Sequence, residues 1–332
     1  MSQSTLMNAA LAEVPGEPLR LVRIPIPTPE PGQVLVRIRA AGVNPIDVKI
    51  QEGKAAHARQ PLPAILGTDL AGQIVALGAG VTSLRAGDEV YGLAGGVGGV
   101  PGSLAEYAAV SAELLAPTPK NLGLREAASL PLAFITAWEG LVDRVQVHSG
   151  QQVLVQGGAG GVGQIALQLA RAFGATVFAT ASASNRAFLE QRGATAIDYR
   201  AESVADYVAR CTAGRGFDVV FDTVGGSTLD ASFAAVARFG HVSSSLGWGT
   251  HALAPLSFRG ASYSGVFTLL PLISGEGRAH HGEIMREATR LVEAGQLLAH
   301  VDPRRFTLQT VNDAYQAVAD GAAVGKLVVD VS

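Results

Sequence analysis

Cysteine is almost missing from this 332-residue chain, with Cys211 the only one. An internal disulfide is therefore excluded, and so is any zinc site built from two or more cysteines of one chain. A reducing, cytoplasmic setting is the expectation that follows. Charge is scarce too, at 16% of residues against ~25% in ordinary soluble domains. Hydrophobic residues at 48% exclude a disordered chain, which needs low hydrophobicity and high net charge. A formal net charge of -3 leaves no basic footprint for nucleic acid or an anionic membrane surface, so small molecules are the expected partners. Residues 1–21 lack a basic stretch followed by an apolar one, and no secretory signal is expected. The two uncharged segments, 145–170 and 260–275, are read as buried elements of a soluble protein. The first carries glutamines and a glycine cluster, and the second is short and interrupted by Pro271.

Glycine is what the chain has in excess. Its 40 glycines make up about 12% of the residues, against ~7% usually, without the G-X-Y period of collagen. At a prior of roughly 150 residues per domain, the length fits two domains. Between residues 19 and 110, short β-rich runs at 19–22, 33–38, 70–77 and 88–92 are separated by Pro and Gly, predicting an all-β barrel or sandwich. From about residue 125, strands alternate with helices. Strands are predicted at 153–156, 176–180, 217–222 and 241–243, with helices at 164–173, 186–192 and 227–238. This alternation predicts βαβ units and a parallel sheet. A helix at 283–293 and a strand at 325–331 close the chain.

Gln156-Gly157-Gly158-Ala159-Gly160-Gly161-Val162-Gly163 contains G-x-G-x-x-G at Gly158, Gly160 and Gly163. The spacing alone is weak in a glycine-rich chain. Its setting is specific, because a strand precedes it, a helix follows, and the next strand comes within ~30 residues. Gly158 is expected to permit the tight turn, Gly160 to admit a pyrophosphate, and Gly163 to let the helix pack on the strand. The helix N-terminus, with Gly161 and Val162, offers N–H groups and a positive dipole end to phosphates. An NAD site needs an acidic side chain at the end of the second strand. Here the run is Thr180-Ala181-Ser182-Ala183-Ser184-Asn185-Arg186. Ser182 and Arg186 are donors for a 2′-phosphate, and Tyr199 adds a hydroxyl. NADPH is the expected cofactor.

Ala41-Gly42-Val43-Asn44-Pro45-Ile46-Asp47, Gly67-Thr68-Asp69-Leu70-Ala71-Gly72, Gly87-Asp88-Glu89-Val90, the glycine turn and residues 217–226 stand in an order that resembles the zinc-independent quinone oxidoreductase branch of the medium-chain dehydrogenase/reductase superfamily. The resemblance covers nearly the whole chain. It implies an α/β fold, with a GroES-like β-domain (residues 1–122 with 275–332) and a Rossmann doubly wound parallel sheet (residues 123–274) that binds NADPH. It also implies an active-site cleft between the domains and a homodimer joined through Rossmann edge strands, for which residues 261–270 are the candidate. Zinc-dependent relatives carry a ligand cysteine where this chain has Asn44, and Gly-His-Glu where it has Gly67-Thr68-Asp69. Without that thiolate and imidazole a tetrahedral zinc has no ligand set, so no metal is expected.

What remains is metal-free hydride transfer to a quinone or an α,β-unsaturated carbonyl compound. Two alternatives stay open: an enoyl-thioester reductase of the same superfamily, and a non-catalytic NADPH-binding protein of crystallin-like or sensing duty. Asn44, Asp47 and Thr136 match family positions near the nicotinamide, where an amide or hydroxyl orients the cofactor or bonds a developing oxyanion. Lys49 stands where relatives commonly have a tyrosine and is a candidate proton donor. Ser245, Leu246 and Gly247 are expected at the carboxyl end of a sheet strand, where ligands gather. Lys326 is counted with them among the cofactor-binding residues. The six glycines between Gly92 and Gly102 are expected to form a mobile lid.

Overall fold

The structure, a computed structural model, describes residues 5–331. The chain forms two compact units, Met1–Leu132 with Leu269–Ser332, and Ala133–Thr268.

In the first unit, strand Gln33–Gly42 alternates half-buried with buried residues along its first eight positions, the period-2 signature of a strand with one face in a core. It pairs antiparallel with Asp69–Leu77 and with Tyr107–Ser111. The C-terminal strand Val328–Asp330 adds to its end, Val328 opposite Gly42, so segments far apart in the sequence share one sheet. Val34, Val36, Ile38, Leu70, Ile74, Val90 and Leu115 form the core between these strands, each aliphatic side chain contributing ~1.5–3 kcal/mol on burial. Helix Leu124–Ala127 packs on Gln33–Gly42 and Asp69–Leu77, which carries this unit on to Leu132.

The glycine-rich segment expected to be a mobile lid is instead tied down along most of its length. Residues 92–97 are buried. Ala94, Gly98 and Gly102 donate backbone hydrogen bonds to Thr68, Ala58 and Ile65. A Cβ on Gly95 would lie 2.1 Å from the Pro101 carbonyl oxygen, and one on Gly102 would lie 2.3 Å from that of Leu66. These glycines allow backbones to pass in contact, which is the opposite of mobility.

In the second unit, six parallel strands run in the spatial order Thr195–Asp198, Thr176–Ala181, Gln152–Gln156, Phe217–Asp222, Val236–Ser244, Ser262–Gly265. Helices link them, among them Gly161–Ala172, Arg186–Gln191, Val204–Thr212 and Ser227–Ala235. Several elements differ from the expected ranges, strand Thr195–Asp198 among them. Helix Val204–Thr212 was not foreseen, although Ser203 and Asp206 form a capping box at its start. The helix expected to reach residue 238 stops at Ala235, and the strand follows at once from Val236. Phe239, at φ 62°, lies within this strand, whose register against Phe217–Asp222 shifts between Phe217 and Val219. Among the described residues no helix is long and apolar enough to cross a membrane.

Candidate functional site

The carboxyl ends of the parallel strands collect most of the predicted cofactor residues. Gly157 follows strand Gln152–Gln156, Ser182 follows Thr176–Ala181, Tyr199 follows Thr195–Asp198, and Ser245 follows Val236–Ser244. Strand Gln152–Gln156 lies between Thr176–Ala181 and Phe217–Asp222, the switch point at which open α/β sheets bind ligands.

The glycines of the turn divide by cause. The left-handed residue is Gly157, at φ 74°, not Gly158 as the motif implied. Gly158 is needed for packing, since a Cβ there would meet that of Ala179 at 2.6 Å. Gly163 is needed too, its Cβ falling 2.1 Å from the Gly157 carbonyl oxygen. Gly161 is different. Nothing lies within 4 Å of a Cβ on it, and the Cβ of Gly160 would meet only the Gly157 oxygen at 3.3 Å. No side chain caps helix Gly161–Ala172 at Gly160, and Gly160 and Gly161 are exposed. An uncapped helix N-terminus fronted by glycines the fold does not require fits a pyrophosphate.

After strand Thr176–Ala181, Ser182 Oγ lies 3.0 Å from Ser184 Oγ and accepts from Asn185 Nδ2 at 3.1 Å. Arg186 pairs with Glu190 at 3.6 Å, both more than half exposed, an arrangement weak enough to yield to a phosphate. Arg200, passed over in the sequence, donates Nε to the Tyr199 hydroxyl at 3.2 Å and adds a second exposed guanidinium. Its adjacency to Tyr199 just after a strand was the available signal. Further along the edge, Asp222 Oδ1 accepts the Val224 and Gly225 N–H groups, Oδ2 accepts the Ser244 hydroxyl, and Ser244 Oγ accepts the Leu246 N–H at 3.1 Å. Gly247 lies against Tyr263, whose hydroxyl would sit 2.0 Å from a Cβ there. Trp248 is half exposed and stacks edge-on against Phe267 at 6.0 Å. In the same unit, Thr136 Oγ1 is 3.0 Å from Thr268 Oγ1, which donates to Glu139 Oε2 at 2.9 Å.

In the first unit Asn44 caps helix Pro45–Gln51 and sits in a buried polar cluster. Its backbone N–H donates to Asp47 Oδ2 at 2.7 Å. Its side-chain Nδ2 donates to Thr68 Oγ1 at 2.9 Å and Asp69 Oδ2 at 2.8 Å, and its Oδ1 accepts from Lys326 Nζ. Both amide hydrogens are thereby committed, so Asn44 is no oxyanion donor; its free capacity is a lone pair. Asp69, unremarked in the sequence beyond its motif, is fully buried. Burial pushes its carboxyl up, against the pull of Lys326, Asn44 and the Leu132 N–H. Asp47 is pushed up to about 8, chiefly by burial, with the Asn44 N–H opposing and Asp69 adding to the rise. Among the described residues its buried Oδ1 has no hydrogen-bond partner, and neither has the Tyr315 hydroxyl, which burial first and the Asp47 charge second hold well above its ordinary value. Lys49 leaves this cluster. Burial of Asp47, Val48 and Ile50 turns it outward, where, after burial, it helps lower His57.

A zinc ion does not fit these residues. Asn44 Oδ1 and Asp69 Oδ2 are held by an ammonium, Nζ of Lys326 lying 3.5 Å from Asp69 Oδ2, and neither a thiolate nor an imidazole stands at the positions of Asn44 and Thr68. Among the described residues no group of three His, Cys, Asp or Glu side chains could hold a metal.

Residues 30–120 match the alcohol dehydrogenase GroES-like domain, and residues 193–329 match the zinc-binding dehydrogenase family. A 2-methylene-furan-3-one reductase of Solanum lycopersicum is 38% identical over 314 residues, covering 92% of this chain and 74% of that protein. The chain belongs to the medium-chain dehydrogenase/reductase superfamily. It is an oxidoreductase, its first unit the GroES-like domain and its second the Rossmann domain of that superfamily. A chloroplastic NADPH-dependent alkenal/one oxidoreductase of Arabidopsis thaliana is 36% identical over the same shares of both chains. The crystal structure of an alcohol dehydrogenase superfamily protein from Novosphingobium aromaticivorans superposes with a TM-score of 0.97 at 55% identity, covering 98% of this chain and 100% of that one.

Proposed function

We propose that this member of the superfamily is an NADPH-dependent reductase of α,β-unsaturated carbonyl compounds or quinones, acting without a metal. The carrying observation is the Asn44 cluster. Where a zinc dehydrogenase needs ligands for a Lewis acid, this chain has an amide and a hydroxyl bonded to each other, with a buried ammonium alongside. Alcohol oxidation on zinc loses its basis, whereas addition of hydride to an electron-poor carbon needs only alignment, a dry site and a donor to the acceptor oxygen. The two plant relatives, named for reduction of a methylene-furanone and of alkenals and enones, support that acceptor class.

Bound NADPH supplies the hydride. On this reading Gly160, Gly161 and Val162 hold its pyrophosphate, Ser182, Arg186, Tyr199 and Arg200 its 2′-phosphate, and Ser245 to Gly247 with Thr136 its nicotinamide half. The exposed edge strand Ser262–Gly265 is the proposed seam of a homodimer, since its outer edge ends the sheet. The test is loss of NADPH absorbance against a panel of enones, quinones, aldehydes and acyl-thioesters. Enones or quinones are expected to lead. Aldehydes or acyl-thioesters leading, or no turnover beside tight NADPH binding, would overturn the reading.

A further inference from the structure

Among the described residues, the cluster around Asn44 leaves the Lys326 ammonium with a hydrogen to spare. Asn44 gives away both amide hydrogens, to Thr68 and Asp69. Asp69 spends Oδ1 on the Leu132 N–H at 2.9 Å and Oδ2 on Asn44 and Lys326. An ammonium carries three hydrogens. Among the described residues the Lys326 side chain has one hydrogen-bond acceptor, Asn44 Oδ1, and one ion-pair partner, Asp69 Oδ2 at 3.5 Å, so at least one hydrogen is left over. Lys326 also keeps 8% exposure, whereas Asn44 keeps 1% and Thr68 and Asp69 none. It is the member through which the cluster reaches its surroundings. A cation at the margin of a buried cluster, with a hydrogen to spare, is a strong donor to an oxygen that gains negative charge.

We propose that Lys326 donates this third hydrogen to the carbonyl oxygen of the acceptor, with Asn44 and Asp69 as the positioning residues that aim it. This assignment rests on the acceptor class proposed above, and it gives Lys326 a role toward substrate rather than cofactor. As hydride forms the new C–H bond at the β-carbon, the alkene π pair shifts to place negative charge on the carbonyl oxygen. The Lys326 N–H bond then breaks as the O–H bond forms, leaving an enol and a neutral amine. A solvent proton restores the ammonium, and the enol becomes the ketone by exchange with water. The sum consumes acceptor, NADPH and one proton, and yields the saturated carbonyl compound and NADP+.

The test uses 4-nitrophenol, whose phenolate imitates the charged oxygen, bound to the NADP+ complex and titrated by its absorbance. The wild type is expected to bind the phenolate and lower the probe's pKa below its free value; Lys326→Met and Lys326→Gln are expected to lose that shift. Both variants should bind NADPH within about threefold of wild type while kcat for an enone falls ~10²–10³-fold, the size of one lost oxyanion donor. Gln, which keeps a neutral N–H, should lose less than Met. A wild type that gives no bound phenolate below the free pKa overturns the proposal, and that result does not depend on whether the variants fold. So does a variant that binds NADPH normally and keeps kcat within about threefold, far from the loss of an oxyanion donor. Absence of wild-type turnover with every enone and quinone overturns the acceptor class and this assignment together, whereas turnover that survives loss of Lys326 overturns this assignment alone.

Discussion

Two alanine substitutions, two residues apart, separate what the glycine turn does for the fold from what it does for a ligand. In Gly163→Ala the new Cβ falls 2.1 Å from the Gly157 carbonyl oxygen, 2.8 Å from its carbon and 2.9 Å from the Gly158 Cα. All three are backbone atoms, so the turn itself must move. Overpacking of this kind costs ~1–3 kcal/mol, and at ~2–4 °C per kcal/mol for a domain of this size the melting temperature should drop by about 2–12 °C. In Gly161→Ala the Cβ meets nothing within 4 Å, and Gly161 is the first residue of a helix without a left-handed φ. Stability should hold or rise by up to ~1 kcal/mol. If a pyrophosphate lies over that open face, the same methyl intrudes on it, and NADPH affinity should fall at least ~10-fold, or ~1.4 kcal/mol. Thermal melts and NADPH titrations on both variants read the two effects independently. Unchanged NADPH affinity in Gly161→Ala, at unchanged stability, refutes the claim that ligand approach keeps this position glycine.

Where the 2′-phosphate is proposed to sit, Arg186→Ala and Arg200→Ala should each weaken NADPH ~10–100-fold, the worth of a charge-assisted bond, and leave NADH untouched; equal losses for both nucleotides in parallel titrations would remove the 2′-phosphate from this site. The Asp47 carboxyl ionises near its ordinary value of 3.8 when unfolded and at about 8 when folded. Between those values the folded protein holds a proton the unfolded chain has released, so this group's contribution is full below about pH 4 and lost as pH rises through about 8. Asp47→Asn cannot ionise, and its melting temperature relative to wild type should climb from pH 5 to pH 8; a constant difference across that range would contradict the shift. Turnover should also survive exhaustive chelation, because the donors a metal would need are held by Lys326, and loss of activity restored by added zinc would oppose that.

Many strands were legible because burial on one face or both writes a short-range pattern, and residues 217–222 were placed residue for residue, whereas Leu6–Ala12 and Tyr107–Ser111 went unread. Helix Val204–Thr212 went unseen although its capping box was present, since its weakly apolar run lay between two strands that drew the reading. The glycine excess misled in the segment from Gly92 to Gly102. Composition cannot tell a glycine that frees a chain from one that lets two backbones touch, and only the 2.1 Å and 2.3 Å approaches at Gly95 and Gly102 decide it. Asn44 and Asp47 were singled out from their motif, but the buried contacts around them were not, because Lys326 reaches Asn44 from 282 positions away. The Asn44 amide hydrogens are spent on Thr68 and Asp69, contacts that no short-range pattern records.

The central claim is that hydride is added to the electron-poor carbon of a conjugated alkene, with no metal at the carbonyl. NADPH deuterated at the transferring position, turned over with an enone in the presence of chelator, tests it directly. The expected product is a saturated ketone with deuterium on the former β-carbon. An allylic alcohol with deuterium on the carbonyl carbon would contradict it.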